Sequence, residues 1–78
     1  MTQIQISLNS VDKVKSFVND IQRFDCDFDL VSGRYVIDAK SIMGIFSLDL
    51  SQPIDLHIHC LENEKAEVLE TVKKYAIQ

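Results

Sequence analysis

Near the start of the chain, Ile4, Ile6 and Leu8 alternate with Gln3, Gln5 and Ser7. Apolar side chains at every second position set one face of a strand against a core and leave the other to water, so residues 2–8 read as a half-buried strand. The period then changes. Val11, Val14, Phe17, Val18, Ile21 and Phe24 recur at helical spacing, with Asp12, Lys13, Lys15, Ser16, Asn19, Asp20, Gln22 and Arg23 between them. This pattern predicts an amphipathic helix laid on a core. Asn9 or Ser10 can cap it, and Asn9 with Asp12 makes a weak capping-box match. Asp12 would sit in the first turn, where the helix dipole favours an anion. Asp25-Cys26-Asp27 ends the helical pattern.

Alternation returns at Phe28 and Leu30, flanked by Asp27 and Asp29, and predicts a second strand. Ser32-Gly33-Arg34 marks a tight turn, and residues 35–39 form the return strand. The turn can be centred on Ser32-Gly33 or on Gly33-Arg34, a one-residue slip that decides whether Tyr35 or Ile37 points inward; the preferred centre, Gly33-Arg34, pairs Leu30 with Ile37.

Ser41 is placed to cap a second helix running through Ile42, Met43, Gly44, Ile45, Phe46, Ser47 and Leu48. Its apolar residues cover nearly all sides. Such a helix must be buried or must offer part of itself to a partner. Gly44 costs about 1 kcal/mol relative to alanine inside a helix, so a close approach is expected there.

Asp49, Ser51, Gln52 and Pro53 form a polar connection, and Pro53 suits the start of a strand, where its missing N–H does no harm. Residues 54–61 then alternate, with Ile54, Leu56, Ile58 and Cys60 toward the core and Asp55, His57 and His59 away from it. Glu62, Asn63 and Glu64 lead into a last helix with an expected stripe of Ala66, Leu69, Val72 and Ala76, and with Val68 and Tyr75 at its margins. Lys73 and Lys74 fall toward its C-terminal end.

The element order is β-α-β-β-α-β-α. The expected fold is an α+β open-faced β-sandwich over residues 1–78, a four-stranded antiparallel sheet covered on one face by three helices. Its open face would carry Gln3, Gln5, Asp29, Asp55, His57 and His59.

At 78 residues the chain forms one domain that buries only about 60–65% of its unfolded surface. The net charge of −4 speaks against direct nucleic-acid binding. No apolar run approaches the roughly 20 residues that span a bilayer, and no signal-peptide pattern opens the sequence, so no membrane insertion is expected and the reading is cytoplasmic. Cys26 and Cys60 form no CxxC pair and are expected to be buried, reduced thiols, with a disulfide or a redox role as the alternative.

From Phe24-Asp25 to Leu48 the sequence resembles the phosphocarrier HPr of the bacterial sugar phosphotransferase system. Lys40-Ser41-Ile42-Met43-Gly44 is similar to that family's regulatory-serine motif and aligns without a gap back to Phe24. The resemblance implies the HPr fold. It breaks down at the other site of the family, a His-Ala-Arg-Pro type sequence that carries the phosphoryl group. There the histidine's place falls on Ser10, the arginine's on Asp12 and the proline's on Lys13. A serine phosphate ester is not a labile carrier, and Asp12 would repel a phosphate where arginine would hold it.

The resemblance therefore implies a regulatory or interaction protein, not an enzyme, that lacks competent phosphocarrier chemistry. It is similar in this respect to the catabolite-repression HPr of Gram-positive bacteria. Its implied partners are proteins: an HPr kinase acting on Ser41, a transcriptional regulator, or another phosphotransferase-system component. Ser41 can equally be a helix cap and nothing more. Met43, Ile45, Phe46 and Ser47 are the expected partner-binding patch, with core packing as the alternative for Met43 and Phe46. Two other functions stay open: a transfer component with an altered acceptor, and a binding domain that has lost both phosphorylations. No catalytic set, cofactor or metal is expected, and His57 and His59 read as solvated surface side chains.

Overall fold

The computed structural model describes residues 2–77, with elements in the order β1 (Thr2–Ile6), α1 (Val11–Gln22), β2 (Asp27–Ser32), β3 (Tyr35–Asp38), α2 (Ile42–Phe46), β4 (Ile54–His59) and α3 (Glu62–Val72), then a 3-10 turn, Lys73–Tyr75. All strand pairs are antiparallel, in the order β1-β4-β2-β3. The helices lie on one face of this sheet, so the architecture is the expected α+β open-faced sandwich. The core between the layers is wholly apolar and includes Ile6, Leu8, Val14, Phe17, Ile21, Phe28, Leu30, Ile54, Leu56 and Ile58.

The alternation read from the sequence becomes the two faces of the sheet. In β4, Ile54, Leu56 and Ile58 are buried, whereas Asp55 and His57 are half-buried and His59 is exposed. The turn between β2 and β3 is centred on Gly33-Arg34, and Leu30 pairs with Ile37 as expected. Gly33 has φ +58 and Arg34 a negative φ. This is the type II′ pattern, whose first central residue must enter the left-handed region that suits glycine.

The ends of elements differ from the sequence reading. β1 stops at Ile6 and α1 at Gln22, and Leu8 and Phe24 reach the core from the adjoining loops. Val11, the first residue of α1, is 54% exposed and does not join the core stripe expected of it. The stripe on α3 is rotated from the one expected. Val68 and Val72 are buried, Leu69 packs against the core, and Tyr75 is buried in the following turn, whereas Ala66 and Ala76 are exposed. Larger side chains gain more from leaving water, and the helix turns them inward in preference to the two alanines.

The cysteines correct the expectation of reduced thiols. Cys26 and Cys60 are joined in a disulfide across 34 residues of sequence. The β2–β4 register explains it. Asp27 pairs with His59, so the next step of the ladder sets Cys26 opposite Cys60, with Cα atoms 4.9 Å apart. That separation suits a disulfide.

The C-terminal segment closes one side of the sheet. Ala76 forms a bridge with Ile6, and the Ile77 N–H donates to the Gln5 carbonyl at 3.0 Å.

Candidate functional site

The loop from β3 into α2 is held by its own polar groups. The Asp38 carboxylate accepts from the Lys40 N–H at 2.9 Å, and the Asp38 carbonyl accepts from the Ser41 N–H at 3.0 Å. The Lys40 ammonium turns back to donate to the Phe24 carbonyl and lies 5.7 Å from the centre of the Phe28 ring. From α1, the Gln22 side-chain amide donates to the Lys40 carbonyl at 3.3 Å. The segment that delivers Ser41 is thus tied to the end of α1 and the start of β2.

Ser41 itself is extended, with φ −94 and ψ 103, and is the N-cap of α2. Its hydroxyl accepts from the Gly44 N–H at 3.2 Å, as the sequence led us to expect. The hydroxyl is exposed to solvent with its residue. Gly44 explains its own presence. A Cβ there would lie 3.2 Å from the Ser41 hydroxyl oxygen and 3.3 Å from Cδ1 of Ile37, so the glycine lets the cap and the edge of the sheet close on the helix.

The expected partner patch divides. Met43 is 78% exposed and Phe46 40% exposed, and Ser47 is exposed at the C-cap, where its hydroxyl donates to the Gly44 carbonyl at 2.6 Å. Ile45 does not belong with them. It is fully buried, because one side of even a five-residue helix must face the core. Beyond α2, hydrogen bonds from the Ser51 hydroxyl and then the Ser51 N–H hold the Asp49 carboxyl below its ordinary range and fix the turn.

Ser10 is the N-cap of α1 and is exposed. Its hydroxyl accepts from the Lys13 N–H at 3.1 Å. Asp12 and Lys13 follow it in the first turn and are likewise exposed. Both histidines stand elsewhere. His57 and His59 belong to β4, on the sheet face turned away from the helices, and the His59 Nε2 lies 3.1 Å from an Asp29 carboxylate oxygen. Among the described residues no group of three or more His, Cys, Asp or Glu side chains is arranged to hold a metal ion. Among them, too, no helix is long and apolar enough to cross a membrane.

A family model described as "PTS HPr component phosphorylation site" matches residues 12–77. The chain belongs to the HPr family. The matched span starts two residues after Ser10 and contains Ser41 with the whole of α2. Among solved structures, the chain is similar to a phosphocarrier protein HPr from Bacillus anthracis str. Ames, at 26% identity and a TM-score of 0.72, covering 97% of this chain and 94% of that one. It shares its fold with the HPr-C-His structure from Thermoanaerobacter tengcongensis, at 22% identity and a TM-score of 0.78, covering 95% and 89% of the two chains. No curated protein sequence matches the chain. The HPr assignment agrees with the resemblance carried by the Lys40–Gly44 motif.

Sequence reasoning missed the supports of the site. The Gln22 amide and the turned-back Lys40 ammonium hold the Ser41 loop through groups that read, in the sequence, as ordinary solvated polar positions.

Proposed function

We propose that this HPr-family chain is a cytoplasmic regulatory or interaction protein rather than a phosphocarrier or an enzyme, switched by phosphorylation of Ser41. The observation that carries the reading is the contrast between two helix caps. At Ser10, the place of the family's phospho-accepting histidine, a serine hydroxyl is followed by an acidic residue. At Ser41 an exposed hydroxyl sits inside the family's regulatory motif, beside the exposed side chains of Met43 and Phe46.

The chemistry follows from charge. A phosphate on Ser41 adds about −1.5 to −2 charge at the start of α2, where N–H groups face it. The fold need not change. The potential beside Met43 and Phe46 turns negative, and a protein partner bearing arginine gains charge-assisted hydrogen bonds next to an apolar contact. The ammonium of Lys40 is engaged with the Phe24 carbonyl, which supports leaving the neutralising cation to the partner.

The test is a pair of labelling reactions. Incubation with enzyme I and radiolabelled phosphoenolpyruvate is expected to leave the protein unlabelled, and an HPr kinase with labelled nucleotide is expected to place acid-stable label on Ser41. Acid-labile label from enzyme I would overturn the proposal in favour of a transfer component. A Ser41→Ala variant that binds its partners unchanged would favour a binding domain with neither phosphorylation.

A further inference from the structure

The two outer strands of the sheet are treated differently. The outer side of β1 is partly closed by Ala76 and Ile77, while β3 has no strand beyond it among the described residues. Edge strands are commonly protected by shortness, by charge, by a proline or by a bulge. β3, with the sequence Tyr-Val-Ile-Asp, has only its four-residue length and Asp38, without lysine, proline or bulge, and Tyr35 and Val36 are 69% and 63% exposed.

The direction of its backbone groups is fixed. The Ala39 N–H donates to the Phe28 carbonyl at 2.9 Å, continuing the β2–β3 register one step past Asp29↔Asp38. Odd-numbered residues of this strand therefore turn their N–H and C=O groups toward β2, and Val36 and Asp38 turn theirs outward. The Asp38 carbonyl is taken by Ser41; the backbone groups of Val36 face open solvent.

We infer that β3 pairs with β3 of a second copy of this chain, antiparallel and in register about Val36. The two-fold axis passes between Val36 and Val36 of the partner copy, and each donates its N–H to the other's carbonyl. This register opposes Arg34 of one copy to Asp38 of the other, twice, and sets Tyr35 beside Ile37. The neighbouring registers that keep the outward groups paired are worse. One sets Val36 against the Asp38 carboxylate, the other sets Val36 against Arg34. The segment Arg34-Tyr35-Val36-Ile37-Asp38 is self-complementary in charge and in apolar character only about its centre. Arg34 has no ion-pair partner among the described residues, and Asp38 is exposed. On the open face, Val31 already pairs with Val36, so the two copies would join these into one apolar strip across the axis. The inference is independent of Ser41 phosphorylation.

A four-residue edge buries far less than the roughly 1,600 Å² of a standard interface, so the pairing is weak and visible only at high concentration. The experiment is sedimentation and amide exchange on the whole chain at concentrations up to about 1 mM. The average mass of the native protein is expected to rise with concentration, and the Val36 amide to exchange about twofold slower when half of the chains are paired. Arg34→Asp and Asp38→Arg are each expected to remain monomeric alone and to associate again when mixed, because the mixture restores both opposed charge pairs. A native mass constant up to about 1 mM, association that survives in Arg34→Asp alone, or self-association that leaves Val36 exchange unchanged would each overturn the inference. Should Asp38→Arg lose its fold with the Lys40 contact, the Arg34→Asp variant and the Val36 amide decide the matter.

Discussion

The hydroxyl of Tyr75 donates to the carboxylate of Asp20 at 2.8 Å, tying the turn after α3 to the last turn of α1. The Ser16 hydroxyl lies 2.7 Å from the same phenol oxygen, Lys74 reaches Asp20 at 2.9 Å, and the Tyr75 ring stands edge-on to Phe17 at 5.4 Å. Tyr75→Phe keeps the ring and removes the hydrogen bonds. The expected loss is about 1 kcal/mol, or a Tm about 4–8 °C lower for a domain of this size, read by thermal denaturation.

The same network sets the response to pH. Burial, with the Asp20 charge adding to it, raises the Tyr75 hydroxyl above its ordinary value near 10.0. The folded state holds that proton more tightly, so its contribution is complete below pH 10 and is lost as pH rises through the folded value. Lys74, raised by its bond to Asp20, titrates in the same sense. Asp20 is lowered from 3.8, chiefly by Lys74, so its contribution is present above that value and is lost as pH falls through the folded one. Denaturant titrations are expected to find stability falling at both extremes, and Tyr75→Phe to flatten the alkaline limb.

The disulfide closes a loop of 34 residues, for which chain entropy gives about 3–4 kcal/mol of stabilisation. Reduction by a dithiol, or Cys60→Ser, is expected to lower the unfolding free energy by that amount, read from a denaturant titration. Reducing cytosol keeps most thiols open, so the reduced protein would there rely on its apolar core alone.

Gly33→Ala tests the turn. The new Cβ would meet nothing within 4 Å, so the cost is the backbone's alone, about 1–2 kcal/mol for forcing alanine into the left-handed region. Chemical denaturation reads it directly.

Two positions on α2 should behave oppositely. Ile45→Ala removes a fully buried side chain and is expected to cost about 2–5 kcal/mol. Met43→Ala is expected to stay within about 0.5 kcal/mol of the native protein. If Met43 belongs to a docking patch, its loss appears in partner binding and not in the melting curve.

Much of this fold could be read from the sequence. Period-2 runs gave β1 and β4, period 3.6 gave α1, and Gly33 narrowed the β2–β3 turn to two centres, of which the preferred Gly33-Arg34 is the one the register shows. The Ser41 cap and the reason for Gly44 were also legible, since both depend on neighbours within a few residues. What escaped was decided by distant partners. Nothing in the sequence aligned Cys26 with Cys60, because their meeting depends on β4 pairing with β2 across an intervening helix. On α3, Val72 was placed correctly, but Val68 and Tyr75, set at the margins, are buried and the two alanines are exposed, because the larger side chains gain more from leaving water. Ile45 was grouped with Met43 because a five-residue helix has too few turns for its pattern to reveal which side faces inward.

The strand order β1-β4-β2-β3 interleaves the two halves of the chain. β4, the last strand to appear in the sequence, lies between the first and the second and hydrogen-bonds to both. Cut the chain after α2, and β1 is left with no strand to pair with, while the β2–β3 hairpin loses β4, the strand it is paired to. No amino-terminal fragment that ends before β4 can keep the platform beneath Ser41. A protease that nicks the Asp49–Pro53 connection and lets the pieces separate would thus remove the support under Ser41 without touching that residue.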